Sequence, residues 1–513
     1  MSRYRKRLSG VHTWVGIVLG ALLLVIFWMG TLSVFDRELD RWMMPATRLS
    51  PPQGPPRLDA ILPLVQARVP QGARQWRVDW PTVRTPVLRL SWQTRDGQRE
   101  QIHLNPSTLE VLPDAGTWGA TGFFFPFHYG LHIDWKDIGK WLVGVAGMGM
   151  LVLLVSGVFI HRKLLADFFT FRPGKRLPRS SLDLHNLTGV TGLVFHFAIT
   201  LSGLIIFWAT YFPQAHYGVY GAGAKARATV QAEGYGRYSP KSADAKVAGV
   251  SLSTASLDAM AEDARRIWGN GAEPYFIRVW RPGTSDSYVE LRRSYAREVS
   301  MNLDQLYFDA ATGQWLHQFE ATPAMAVQRF FSGMHFVQFD HWLLRWLYFG
   351  LGLSGCVMIS TGMVHWLAAR RAGAFAVYWR WMEALCVASM PGLIVATLAY
   401  LAANRLIPPS AQWEGLDRGA LEVAAFFVVW AMGFVHALAR GVRAWREQAW
   451  TVALLGSLCV ALNALTTGAY GAAIAQTPAA VWSVDLGLLA VAVMGGYAGR
   501  RLSTRAMYPT PQS

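Results

Sequence analysis

Val11-His12-Thr13-Trp14-Val15-Gly16 opens the first apolar run of this chain, and Leu184-His185-Asn186-Leu187-Thr188-Gly189 opens the third. Each sets a histidine four residues ahead of a glycine, at the mouth of a stretch long enough to cross a bilayer. The runs between correspond as well. Ser156-Gly157 followed by His161 closes the second, and Thr361-Gly362 followed by His365 closes the fourth. Gly130-Leu131-His132 precedes the second, and Gly333-Met334-His335 precedes the fourth. A parallel duplication with histidines at both ends of its helices is the first property of the chain.

Working outward, apolar runs of about 20 residues fall near 13–35, 138–160, 187–209, 342–366, 382–403, 419–439, 450–474 and 481–499. The sequence is 52% hydrophobic and 16% charged. The expected fold class is therefore mainly α: a polytopic membrane protein of about eight transmembrane helices. The formal net charge of +16 would suit nucleic acid, but the basic residues stand beside alternate helix boundaries. Arg3, Arg5, Lys6 and Arg7 precede the first run, and Arg162, Lys163, Arg172, Lys175, Arg176 and Arg179 separate the second from the third. Arg370 and Arg371, then Arg440, Arg443 and Arg446, then Arg500 and Arg501 follow. This is the positive-inside pattern, with both termini cytoplasmic and the charge serving lipid headgroups. No nucleic-acid module is present. The first run lacks an A-x-A-like site after Trp28 and reads as a retained anchor.

The domain reading is helix 1–35, extracytoplasmic domain 36–135, helix 136–165; helix 180–210, extracytoplasmic domain 211–335, helix 336–370; then a four-helix region, 375–505. In the first extracytoplasmic domain a helix near Leu58–Val65 precedes strands around Trp76–Trp80, Val87–Trp92 and Gln101–Leu104. The second repeats that order: a helix over Leu257–Trp268, strands at Tyr275–Trp280, Ser287–Leu291 and Gln305–Phe308, and a turn at Thr312-Gly313. Each is expected to be a small α+β domain. Ser50–Pro56 and about 221–250 read as linkers.

Neutral imidazole is a common haem ligand. From His132 to His161 and from His335 to His365 is about 43–45 Å of helix, a full bilayer. His12, His161, His185 and His365 are thus expected at the cytoplasmic level, and His132 and His335 at the outer one. His12 and His185 are the first-choice axial pair, with Gly16 and Gly189 admitting the macrocycle. His132 and His335 form the outer pair, with His128 and the intramembrane His196 as substitutes. His103, His216, His317, His341 and His436 read as hydrogen-bonding residues, and Asp36, Glu38, Asp134 and Asp340, beside the outer histidines, as solvated helix caps ahead of a metal site or a link to haem propionates through Arg. Cys356, Cys386 and Cys459 fall inside spans, and C-x-x-C-H is absent, so any haem is b-type, held without covalent attachment.

The His-x-Trp-x-Gly opening, the Leu131-His132 step and Asp183-Leu184-His185-x-x-x-Gly189 together resemble the PepSY-associated transmembrane family, over roughly residues 5–370. The resemblance implies two PepSY-like periplasmic domains in a bacterial inner-membrane protein. It also implies two b-type haems, and a ferric siderophore or other periplasmic electron acceptor reduced for iron acquisition. With no flavin or nicotinamide motif, a cytoplasmic reductase or membrane quinol is the expected electron donor. Two other readings stay open: a membrane-anchored binding or regulatory module without redox chemistry, and a transporter with a histidine relay. The final helices depart from the shorter reductases, and a chain ending near Arg371 is expected to fold.

Overall fold

Gly16–Trp28 holds neither charge nor proline, and it forms the middle of α1 (Arg3–Ser33), the first of seven helices among the described residues that are long and apolar enough to cross a membrane. The computed structural model describes residues 3–161, 171–172, 177–238, 254–302, 304–370, 376–468 and 477–502. Arg162, Lys163, Lys175, Arg176, Arg371, the linker past 238 and the end of the seventh expected run lie outside them. The chain divides into two units, residues 1–45, 115–204 and 342–513 in one, and residues 46–114 and 205–341 in the other.

In the helical unit, a short α2 (Asp36–Met43) follows α1. The second-unit helix α3 (Leu62–Arg68) comes next in the chain, and then α4 (Gly119–Gly130) and α5 (Ile138–Ile160). The expected third span is two helices, α6 (Leu177–Thr191) and α7 (Leu193–Ile206), bent by 66° at Gly192. This break was not anticipated. The sheet unit then contributes α8 (Trp208–Tyr211), α9 (Pro213–Tyr220), α10 (Ala224–Tyr235), α11 (Leu257–Trp268) and α12 (Pro323–Phe336). The helical unit resumes with α13 (Trp342–Arg370), α14 (Ala376–Ser389) and α15 (Pro391–Leu406), the last two joined at Pro391 into one span. It ends with α16 (Arg418–Arg440), α17 (Arg443–Thr467) and α18 (Ala479–Arg501). The chain is a polytopic membrane protein.

The final helices are not a detachable appendix. Their core is continuous with Val25 and Met29 of α1, Trp42 of α2 and Phe123, Phe124 and Phe127 of α4. The Trp42 indole donates to Asp485 Oδ1 at 2.8 Å, Asn463 donates to the other oxygen at 2.9 Å, and Tyr400 donates to the Gly119 carbonyl at 2.8 Å. Glu422 accepts from Thr117 and Asn404 and pairs with Arg418. Removing these helices would leave the Trp42 indole, the Thr117 hydroxyl and the Gly119 carbonyl without these partners, a cost of several kcal/mol in an apolar surrounding. The expectation that residues 1–371 fold alone is revised accordingly. Asp36 and Glu38 are buried rather than solvated, and Arg345, itself fully buried, donates to Glu38 at 3.2 and 3.4 Å.

In the second unit the strands expected of two domains form one antiparallel sheet. They are β1 (Gln75–Asp79), β2 (Leu88–Gln93), β3 (Arg99–Leu104), β4 (Pro274–Trp280), β5 (Tyr288–Arg293), β6 (Gln305–Asp309) and β7 (Trp315–Phe319), in the order β3-β2-β1-β4-β5-β6-β7. The seam is the β1–β4 pair, with Gln75 opposite Trp280 and Asp79 opposite Phe276. Alternation sends Trp76, Val78, Leu90, Ile277, Val279 and Leu291 to one face, where α3 and α11 cover them. The halves also cap each other's helices. Asp258 accepts from the Leu58 and Asp59 amides, and Asp59 accepts from the Leu257 amide and the Ser256 hydroxyl. Pairing a three-stranded piece with a four-stranded one edge to edge removes one exposed edge from each.

Candidate functional site: two matching histidine seats

His12 and His185 come together, their ring centroids 6.2 Å apart and their planes at 82°. Each ring rests on the second helix of its own half. Ser156 on α5 donates its hydroxyl proton to the Leu153 carbonyl at 3.2 Å. Its oxygen, 3.1 Å from His12 Nδ1, therefore accepts a proton from the ring. On α13, His185 Nδ1 lies 2.7 Å from the Met358 carbonyl, so that nitrogen carries the proton there too. Thr361, the counterpart of Ser156, donates to the same carbonyl at 3.1 Å. Both tautomers are fixed with the lone pair on Nε2, the arrangement found behind metal-ligating histidines.

The glycines of the two Ser/Thr-Gly steps seat the rings. A Cβ on Gly157 would stand 3.4 Å from His12 Cε1, and one on Gly362 would stand 3.0 Å from His185 Cε1. Gly16 and Gly189, expected to face a macrocycle, instead face Leu153 and Met358, where they let α1 approach α5 and α6 approach α13. The signal for the true seats was in the sequence: Ser156-Gly157 and Thr361-Gly362 repeat as faithfully as the histidines, though nothing in one dimension tied them to His12 and His185.

The other cytoplasmic-level candidates join the same end. His365 Nδ1 lies 2.8 Å from the Pro178 carbonyl at the start of α6, and His185 has His12 and His365 as titratable neighbours. His161 ends α5, and its buried Nδ1 has no hydrogen bond among the described residues. About 21 Å along α1 from His12, His128 on α4 sets Nδ1 2.8 Å from the Ile26 carbonyl, over Gly30. It too keeps its lone pair on Nε2.

His196 is buried beside Phe27 of α1, at nearly the same level. Its Nε2 lies 3.1 Å from the Leu351 carbonyl, and Nδ1 is buried without a hydrogen bond among the described residues. The tautomer is thus the reverse of the other rings'. Gly192 and Gly355 make room for it.

His132 is placed differently from His335. It sits in the turn after α4 with φ of 55°, exposed, beside Trp118, Phe123 and Phe427. His335 lies within α12, two residues before Val337, whose φ of 54° ends that helix. His128 lies within α4, three residues before Leu131, whose φ of 52° ends that one. His128 and His335 thus both lie in the last turn of their helices, one residue out of register, whereas His132 lies beyond its helix. His436 is engaged by Glu447 at 2.9 Å and by Gln448, and His103 and His317 lie on β3 and β7. The His216 side chain lies outside the described residues. Among the described residues no three or more histidine, cysteine, aspartate or glutamate side chains converge as a metal site, so the chemistry on offer is that of paired imidazoles.

The family model described as PepSY-associated TM region matches residues 9–369. The chain belongs to this family. The match includes His12, His128, His185, His196, His335 and His365, and ends just before the last four spans. Among curated proteins, an uncharacterized protein of Pseudomonas aeruginosa is 27% identical over 322 residues, covering 58% of this chain and 75% of its own length.

Proposed function

We propose that this PepSY-associated membrane protein is a haem b electron carrier of the bacterial inner membrane, moving electrons to a periplasmic acceptor, a ferric siderophore being the first choice. The observation that carries the reading is the His12–His185 pair. Two imidazoles on one metal ion are separated centre to centre by about 6 Å, two metal–nitrogen bonds of about 2 Å plus the ring radii. The rings stand 6.2 Å apart, each with Nδ1 spent on a neighbour. Bound between them, haem would supply a one-electron Fe(III)/Fe(II) couple. The chain's own part is to orient both rings through Ser156 and the Met358 carbonyl, each ring lying against the glycine of its Ser/Thr-Gly step.

His128, with the same tautomer one bilayer level away, is the first ligand proposed for a second haem, and His335 lies likewise in the last turn of its helix. His132 and His196 follow. On this reading a membrane quinol or a cytoplasmic reductase supplies the electrons, and the positive-inside distribution of Arg and Lys supports cytoplasmic termini and a periplasmic sheet.

The test is a reduced-minus-oxidised difference spectrum of detergent-solubilised protein from haem-replete cells, with haem extracted by acid–acetone. The expected result is about two haems per chain. In His12→Ala and His185→Ala one haem is lost and the other kept. Colourless wild-type protein overturns the reading in favour of a binding module or a histidine relay.

A further inference from the structure

The face of the sheet turned away from α3 and α11 carries a cavity of about 540 Å³, lined from both halves. One cross-strand row runs through it from β3 to β6: Gln101, Ser91, Arg77, Arg278, Glu290, Tyr307. At the seam, therefore, two arginines stand directly opposite each other, a pairing that normally destabilises a sheet. Seven arginines and three carboxylates line the cavity. Asp79 is taken up by Arg77 and by Arg89 at 2.8 Å. Glu290 is taken up by Arg292 at 2.8 Å and by the Trp280 indole at 2.7 Å, with Arg278 at 3.5 Å. Burial pushes both carboxyls up, and their arginines more than reverse it, so both remain charged.

Positive charge is left over. Arg74, Arg99 and Arg237 line the cavity and make no ion pair among the described residues. Burial, opposed by Glu290, brings the Arg278 guanidinium down to about 10, and its Nε is buried without a hydrogen bond, as are Gln75 Oε1 and the Trp92 indole nitrogen. The guanidinium carbons of Arg77 and Arg278 lie 3.8 and 4.7 Å from the Phe276 ring centre. Rings complete the wall: Trp280 is stacked on Tyr288, and Tyr238 leans on Tyr307 at 5.1 Å. The volume suits a small-molecule ligand.

We propose that this cavity binds a small aryl polyanion, its oxygens held by the surplus arginines and its rings by the tyrosine and tryptophan wall. This deepens the proposed function, and rests on it for the ligand's role: the acceptor would be an anionic, ring-bearing chelate rather than a neutral one.

The experiment is equilibrium dialysis of the full-length solubilised protein against redox-inert gallium(III) complexes. The probes are a hexadentate tris-catecholate (charge −3), a neutral tris-hydroxamate and a ring-free citrate anion. The expected result is one tris-catecholate per chain, bound at least tenfold more tightly than either other probe and weakened by salt. Arg74→Gln with Arg237→Gln, two exposed arginines without ion pairs, should weaken it at least tenfold with unchanged thermal unfolding. No binding, equal binding of the neutral complex, or indifference to the double variant overturns the proposal; equal binding of citrate overturns its aryl part. Gallium takes no electron, so binding without haem would sink only the electron-carrier reading, and haem without binding only this one.

Discussion

The first span and the third begin alike and then part. After its histidine, α1 continues unbroken to Ser33. The span that begins at α6 breaks seven residues past His185, at Gly192, where α1 carries Leu19. Four residues later His196 stands where α1 carries the buried Leu23, and on the packing helix Gly355 stands where α5 carries the buried Met150. Three apolar positions of one half are thus Gly, His and Gly in the other. A Cβ at Gly192 would run into the His196 ring, and one at Gly355 would meet Phe27 and the same ring. The glycines and the histidine are therefore one change, not three. The halves share the seat for a lower histidine pair and differ in a single added imidazole. The first half differs in another way, since α2 and α4 are the floor on which the final helices stand.

The largest effect should come from separating those helices. A chain ended after Arg370 exposes Trp42, Phe123 and Phe124 and strands the Trp42 indole and the Gly119 carbonyl, which lose Asp485 and Tyr400. We expect it to be recovered mostly as aggregated or degraded protein, with any soluble fraction lacking the sharp unfolding of the full chain. Size-exclusion profiles of the two forms in the same detergent decide this. A truncated form that is monodisperse and melts like the whole would show the two regions to be independent.

Next is Gly192→Ala. The added methyl meets an enclosed ring, and overpacking of this kind costs about 1–3 kcal/mol. His196→Leu together with Gly192→Leu installs the first half's residues and should recover part of the loss. Thermal unfolding of the single and double variants measures both. If Gly192→Ala melts like wild type, the bend does not serve the imidazole.

A smaller difference separates the two seats. At Gly157 an added methyl is in ordinary contact with His12, whereas at Gly362 it is tight against His185. Gly157→Ala should leave the proposed haem spectrum unchanged, and Gly362→Ala should shift or weaken it. Equal behaviour of the two would mean that the seats are not what positions the rings.

Much of this was legible in one dimension. Hydropathy marks the spans, because a bilayer imposes length and composition on a helix. Alternation marks the strands, and α11 falls on Leu257–Trp268 as its pattern requires. What was not legible are relations between distant segments. Nothing in Trp76–Trp80 says that its edge pairs with Tyr275–Trp280, since an antiparallel register is set across space. The Gly192 break was hidden because a lone glycine inside an apolar run usually changes little; only the ring beside it gives it meaning. His128 was ranked below His132 because Gly130-Leu131-His132 looks like Gly333-Met334-His335. The left-handed residues that end α4 and α12 show instead that His128 and His335 share the last turn of a helix, which His132 does not.

The smallest effect distinguishes the halves of the sheet. Ile102-His103-Leu104 on β3 corresponds to Leu306-Tyr307-Phe308 on β6, so the first half carries a group that titrates near neutrality where the second carries a phenol. Burial pushes the His103 imidazole below its ordinary value, and Arg89 opposite it adds to the effect, with Asp114 and Asp79 opposing. The folded value lies below the unfolded one, so between the two the unfolded chain binds more protons. Stability is therefore full above about pH 6.5 and is lost as pH falls from there towards the folded value. Burial pushes the Tyr307 hydroxyl up, away from this range. Amide exchange, corrected for intrinsic rates, should show β2 and β3 losing protection between about pH 7 and 5 before β5 and β6 do. His103→Gln should abolish the difference. Were β5 and β6 to loosen in step with β2 and β3, the sheet would be opening as one cooperative body, and the imidazole would act on both halves alike.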